Sequence, residues 1–389
     1  MPWLPRATKS ARASLLLLQV GSFTSSFDRF LIAPLILVIA TDLDESIAAV
    51  TFAATFYFQA YGIMQAAWAV VSDRLGRVRT IRLGMVLAAV AGMASTAAPD
   101  LGWLLASRAM CGACFAAAVP GALVYVGDTV PVETRQARLT DLMTGAALGV
   151  ALAALGAGVI GEHLHWRVAF ALPAVVAGVL ALLMRGIPEP PPPARAPIHR
   201  SFCTVLRNRW ALVVLSLAFG EGLILVGLLT FLPVTLQSHG LSTTAAGAVT
   251  AVYGVAVVIF ARVVRHLSRR LQPARLIVIG GTCGALAYVA LIVDQGFIGV
   301  LTGCVLLGAA WAFMHSTLQA WVTEVVPEAR ATAVSLFASL LFTGGAVASA
   351  FGAVLIEGER FRLLYVIGLV IMLIVGATAT AAQHRYSAR

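Results

Sequence analysis

The chain has 389 residues, 60% of them hydrophobic and only 11% charged, with a mean hydropathy of +0.92. A soluble protein carries about 25% charged residues, so a soluble domain is excluded, and apolar runs of about 20 residues recur along the whole length, each long enough to cross a bilayer. The net charge of +10 would suit nucleic acid in a soluble protein, but most Lys and Arg fall in the termini and alternate loops, the asymmetry that orients a membrane protein. No nucleic-acid partner is expected.

Twelve spans are predicted. Met1 to Arg12 is basic, and the apolar segment after it is too long for a cleaved leader. The first span, 14–40, carries Asp28 and Arg29 near its middle. The second, 47–71, carries Tyr57, Gln59, Tyr61 and Gln65, and a charged loop with Asp73, Arg74, Gly76 and Arg77 follows. The third is 80–98. The fourth, 101–126, contains Arg108 and Cys111-x-x-Cys114. On a helix that cysteine pair is one turn of small residues; no other Cys or His nearby in sequence completes a metal or redox site, and the five cysteines are not placed for an extracellular disulfide. The fifth span, 139–161, is rich in glycine (Gly145, Gly149, Gly156, Gly158, Gly161), which lets helices approach closely. The sixth is 166–184. A linker at 186–210 holds the run Pro188 to Pro193 flanked by arginines, expected to be a stiff spacer on the membrane surface. The spans of the second half are 211–236, with Glu221; 244–264; 274–293; 296–322, with His315; 331–356; and 362–382. Basic clusters then share one side with both termini, which predicts cytoplasmic termini.

The second half repeats the first. Tyr125-Val126-Gly127-Asp128-Thr129-Val130-Pro131 is echoed 196 positions later by Trp321-Val322-Thr323-Glu324-Val325-Val326-Pro327. The same offset carries Ser72-Asp73-Arg74-Leu75 onto Ser268-Arg269-Arg270-Leu271, and Gly84 onto Gly280. The expected fold is all-α: twelve transmembrane helices in two pseudo-symmetric six-helix bundles, 1–185 and 211–389, joined by 186–210. A repeat of that length in an apolar chain suggests a transporter whose halves rock about a central site.

A charge inside hydrocarbon is costly and marks function by default. Asp28, Arg29, Arg108 and Glu221 are the candidates, with His315 a fifth. At about 1.5 Å per residue, Asp28 and Glu221 lie roughly 18 and 22 Å from the extracellular ends of their spans, near one level. The repeat places Glu221 opposite Ser25, less than a turn from Asp28, so the two carboxylates approach one cavity from two sides and can load and release protons. The alternative for Asp28 is a structural pair with an arginine. Arg29 is a poor partner, because adjacent helical residues point about 100° apart. Tyr57, Gln59, Tyr61 and Gln65 line the cavity or bond between helices. Without a GxxxxGK[ST] loop, direct ATP coupling is not expected.

Asp73-Arg74-Leu75-Gly76-Arg77 resembles the G-x-x-x-D-R-x-G-R signature of the major facilitator superfamily, with Ala69 in place of the leading glycine. Leu104-x-x-x-Arg108-x-x-x-Gly112 resembles the fourth-helix motif of its proton-coupled members, with Cys111 at the usual glutamine, and Trp166-Arg167 is also similar to the family. The resemblance covers essentially the whole chain. It implies that Asp73 and its arginines form a cytoplasmic charge lock on one access state, and that Arg108 takes part in proton coupling. The Gly-Pro pair of drug–proton antiporters falls here on Ala153-Ala154. Asp28 and Glu221 resemble the membrane carboxylates of multidrug exporters. The expected function is proton-coupled export of small amphipathic molecules by a monomer in the inner membrane, without cofactor, metal or enzymatic activity. The alternative is a proton-linked importer of a small organic solute.

Overall fold

The computed structural model describes residues 9–190 and 198–387, and among them it contains helices and no strands. Twelve helices are long and apolar enough to cross a membrane: α1 (Arg12–Leu43), α2 (Ile47–Leu75), α3 (Arg77–Thr96), α4 (Leu101–Thr129), α5 (Val132–His163), α6 (Trp166–Gly186), α7 (Arg209–Ser238), α8 (Thr243–Leu267), α9 (Pro273–Val293), α10 (Phe297–Val325), α11 (Pro327–Glu357) and α12 (Phe361–Ser387). Every predicted span is present. Several run further than the hydropathy pattern. α5 begins at Val132 rather than 139, so Glu133, Arg135 and Arg138 are helical. Hydropathy marks the hydrocarbon layer, whereas a helix continues wherever its backbone bonds do. The linker holds one element the sequence reading lacked, a helix at Ile198–Arg207; Pro191 to Pro193 lie outside the described residues.

Each bundle packs in the same order. α1 lies on α5, α2 on α4 and α3 on α6; α7 lies on α11, α8 on α10 and α9 on α12. The first residues of equivalent spans are 195 to 197 positions apart. Even the caps repeat: Ser46 Oγ accepts the N–H of Ala49, and Ser242 Oγ, 196 positions on, accepts that of Ala245. A side-chain cap of this kind satisfies one of the free N–H groups of the first turn. The outward faces of α6 and α12 expose Leu172, Val175, Val179 and Leu182, and Ile367, Val370 and Leu373. In water such a surface would drive aggregation; here it is the lipid-facing wall of a multi-pass membrane protein.

The bundles meet along α2–α11 and α5–α8. Glycine lets the second seam close. A Cβ on Gly158 would lie 2.7 Å from the Thr243 carbonyl, and one on Gly247 2.3 Å from that of Ala154. Elsewhere on α5, Gly145 and Gly149 pack against Gln19 and Phe23 of α1 instead. On the face away from the termini, each seam carries a carboxylate at a helix start. Glu357 Oε2, ending α11, accepts the N–H of Ala48 at 2.9 Å, and Glu162 Oε2, ending α5, accepts that of Thr244 at 2.7 Å. An anion is favourable at a helix N-terminus, where the first-turn N–H groups carry partial positive charge. Gln237 Nε2 adds a bond to the Pro34 carbonyl at 3.0 Å. The bundles are thus tied together on this opposite face.

Candidate functional site

Four spans break near mid-membrane, in repeat-equivalent places. α1 tightens to a 3-10 turn at Ala33–Leu35, and α7 widens to a π-helix at Leu223–Gly227 before a 3-10 turn at Leu228–Phe231. α4 loosens at Ala116–Ala117, and α10 holds a π-helix at Trp311–His315. Such interruptions free backbone groups and gather at functional sites. The charged residues lie beside them.

In the first bundle, Asp28 of α1 meets Arg108 of α4. Nη1 lies 3.1 Å from Oδ1, Nη2 lies 3.0 Å from Oδ2, and Nη2 also reaches the Asp28 carbonyl at 2.8 Å. The guanidinium sits between the rings of Tyr57 and Phe170, 4.7 and 4.8 Å from their centroids. Both partners are completely buried. A two-pronged clamp of this kind is the strongest form of ion pair, and the arginine keeps its proton under all ordinary conditions. The structure thus supplies the partner for Asp28 that adjacent Arg29 could not be.

In the second bundle, Glu221 of α7 meets His315 of α10 through one contact, Oε2 to Nδ1 at 3.1 Å. Glu221 is fully buried, and Oε1 has no partner among the described residues. His315 is 13% exposed by side chain. Its ring stacks on Trp311 at 4.0 Å and faces Phe337 of α11 at 5.6 Å. Tyr253 of α8 lies within electrostatic range of both Glu221 and Arg29. α11 and α12 pack on this part of α7 with Leu341, Gly345 and Val375, none of them titratable.

Arg29 joins neither pair. Tyr57, Tyr61 and Gln65 form one buried stripe of α2, with Tyr57 on Arg108 and Tyr61 on Arg29. Gln59 is two residues out of that register and only half-buried. Between the bundles lies a cavity of about 20 Å³ lined by Phe30, Ala33, Val150, Ala154, Leu229, Thr250 and Tyr253. It has room for about one water.

The loop after α2 gathers charged side chains around Arg77. Arg77 Nη1 bonds Asp73 at 2.7 Å and Ser72 Oγ at 3.0 Å, and its Nε reaches Asp128 at 3.2 Å. Arg74 is exposed. Gly76 has φ 105°, a left-handed conformation that favours glycine. Its missing Cβ also leaves room for Glu189 of the linker, whose carboxylate accepts the N–H groups of Val78 and Arg79 at 3.1 Å each. These bonds all lie within the first bundle and its linker. At the far end, Asp42 accepts from Trp166 Nε1 and Arg167 Nη1, tying α1 to α6.

Sequence reasoning missed Tyr253, Phe337, Phe342 and the carboxylates Glu162 and Glu357. The last two stand 195 positions apart at equivalent span ends, so the repeat offset could have found them. Tyr253 stands 196 positions after Tyr57, so the same offset reaches it, whereas Phe337 and Phe342 had no such signal.

With the geometry in place, the comparisons decide the family. The profile of the Major Facilitator Superfamily matches residues 18–349. The chain belongs to that superfamily. Its fold matches the crystal structure of a bacterial homologue of the human lysosomal transporter Spinster, in an inward-facing and unoccupied conformation, with TM-score 0.78 and 17% identity over 97% of this chain and 98% of that one. Among curated relatives, the gallate transporter of Pseudomonas putida is 26% identical over 72% of each chain. The niacin transporter NiaP of Acinetobacter baylyi is 28% identical over 31% of this chain and 27% of its own length. The multidrug efflux pump LfrA of Mycolicibacterium smegmatis is 26% identical over 54% of this chain and 43% of its own. The chain is a membrane transporter and not an enzyme.

Proposed function

We propose that this transporter is proton-coupled and works by alternating access, with Glu221–His315 as the proton site. The observation that carries the reading is the pair itself: a fully buried carboxylate with one oxygen unpartnered, held by a single histidine contact, where α7 and α10 both open into π-helix. Histidine changes charge near neutral pH, and a proton taken up by the pair either charges the ring or neutralises the carboxylate, so it changes the bond that ties α7 to α10. Opening the other way requires the bonds of Glu162, Glu357 and Gln237 to part, so the state seen here is closed on the opposite face. With the termini in the cytoplasm, as loop charge favours, that state faces inward, and Asp73–Arg77 is the cytoplasmic charge cluster. Protons and a small molecule are then the partners of a monomer in the cell membrane.

Export has the kinship to LfrA on its side. A specific observation favours the other direction: Arg29 is a buried cation outside both pairs, which suits a negatively charged solute travelling with a proton. The gallate transporter aligns over a larger share of the chain than the efflux pump does. The test is a pH-sensitive dye inside proteoliposomes of the full chain, with gradients of gallate and of a cationic dye imposed in turn. Proton movement in step with one solute supports coupling; solute flux without proton movement contradicts it.

A further inference from the structure

Arg29 is the cation that the two acid–base pairs leave over. It is more than nine-tenths buried. Its Nη2 donates to Ser26 Oγ at 3.0 Å, while Nε has no partner among the described residues. No carboxylate among those residues lies within ion-pair distance of it. Rings from both bundles hold it instead: Tyr61 of α2 at 4.7 Å and Phe342 of α11 at 4.8 Å, with Phe30 at 5.4 Å. Tyr61 and Phe342 touch edge to face at 4.6 Å. Beside them, Gly62 packs against the Ser339 carbonyl. Ser335 and Ser339, on the same stripe of α11 as Phe342, have buried hydroxyls with no partner. An uncompensated buried charge is costly, and orphaned polar atoms gathered on one seam call for a missing partner.

The charges between the bundles limit what that partner is. Asp28 and Glu221 oppose Arg29 and Arg108, and with neutral His315 they balance. A single anion at Arg29 would leave one negative charge in excess, which one proton at Glu221–His315 offsets. A phosphate dianion would leave a second. A planar carboxylate matches the guanidinium fork, and Tyr61 and Phe342 give an aromatic ring partners to pack against. We infer that Arg29 anchors the carboxylate of a small aromatic acid whose ring packs against Tyr61 and Phe342, and that one proton binds at Glu221–His315 with each anion. The inference rests on the proton-coupled reading above. Proton and anion then cross on the same stroke, and an inward proton gradient drives uptake.

The test is calorimetric titration of the purified full chain, over a range of pH, with benzoate, 4-hydroxybenzoate and cinnamate, and with benzamide and cyclohexanecarboxylate as contrasts. The three arene carboxylates are expected to bind, weakening about tenfold per pH unit on the alkaline side, as one co-bound proton requires. Benzamide is expected not to bind. Arg29→Gln should weaken benzoate by roughly 10- to 100-fold, the range of a charged hydrogen bond, with thermal unfolding unchanged or improved. Phe342→Leu should weaken benzoate several-fold and leave cyclohexanecarboxylate alone. Binding of benzamide as tight as benzoate, unchanged benzoate binding in Arg29→Gln, or binding by none of the three arene carboxylates overturns the anion slot. If a neutral or cationic solute instead drives proton flux that Glu221→Gln removes, the slot is wrong and proton coupling stands. Benzoate binding that ignores pH overturns the co-bound proton, and with it the coupling on which the inference rests.

Discussion

In the first bundle the buried carboxylate of the opening helix meets an arginine of the fourth helix; in the second, a buried carboxylate less than one turn from the equivalent position meets a histidine of the fourth. The pairs join the same two helices of each repeat and differ in nearly everything else. Arg108 holds Asp28 by both oxygens and a backbone carbonyl, between two rings and away from solvent. His315 holds Glu221 by one oxygen and keeps some exposure. Duplication supplied two similar scaffolds, and the base decides the use of each. A guanidinium fixes the charge of its partner, whereas an imidazole shares a proton with it. On the proposed function, the first pair is a rigid joint and the second an exchangeable one.

Breaking the exchangeable pair gives the largest expected effect. Glu221→Gln should reduce proton-driven accumulation in proteoliposomes to background, while downhill exchange and folding persist, because the change keeps size and shape. The rigid pair should fail differently. Arg108→Gln leaves Asp28 buried and unpaired and should cost about 3–5 kcal/mol, read as a lower unfolding temperature in detergent. Asp28→Asn with Arg108→Gln should recover part of that loss, since removing both charges is cheaper than orphaning one. If Arg108→Gln is as stable as the native chain and only uncouples protons, the two pairs do not differ as described. A smaller effect is expected from His315→Gln, which should displace the pH dependence of transport and change solute affinity several-fold at most. The smallest concerns the seams: Glu162→Gln and Glu357→Gln each weaken an anion–helix contact in the state closed on the opposite face. Impermeant thiol labelling of a cysteine at Ala33 should rise in both variants, and most in the double one.

The sequence made the acids and Arg108 visible because a charge in an apolar span stands out whatever its partner. It could not pair them. Asp28 and Arg108 are 80 positions apart, and only the packing of α1, α2 and α4 brings them together. The reading rightly rejected Arg29 as the partner of Asp28, because neighbouring helical residues diverge. It had no way to show that Arg29 would end among aromatic rings of both bundles, since Phe342 is one phenylalanine among 18. The repeat offset was worth more than its first use. It gave two halves from the Tyr125 and Trp321 motifs, and it also relates Ser46 to Ser242 and Glu162 to Glu357, which only the structure turned into caps and latches. The linker helix at Ile198–Arg207 went unread because the prolines before it dominated the composition.

The central claim is that Glu221, and not Asp28, is the carboxylate that takes up a proton. Infrared difference spectroscopy of the purified protein tests this without any substrate, because a protonated carboxylic acid has a carbonyl stretch that a carboxylate lacks. Titrated through neutral pH, the native chain should gain and lose such a band. The band should vanish in Glu221→Gln and survive in Asp28→Asn. A band that survives in Glu221→Gln and vanishes in Asp28→Asn would contradict the account.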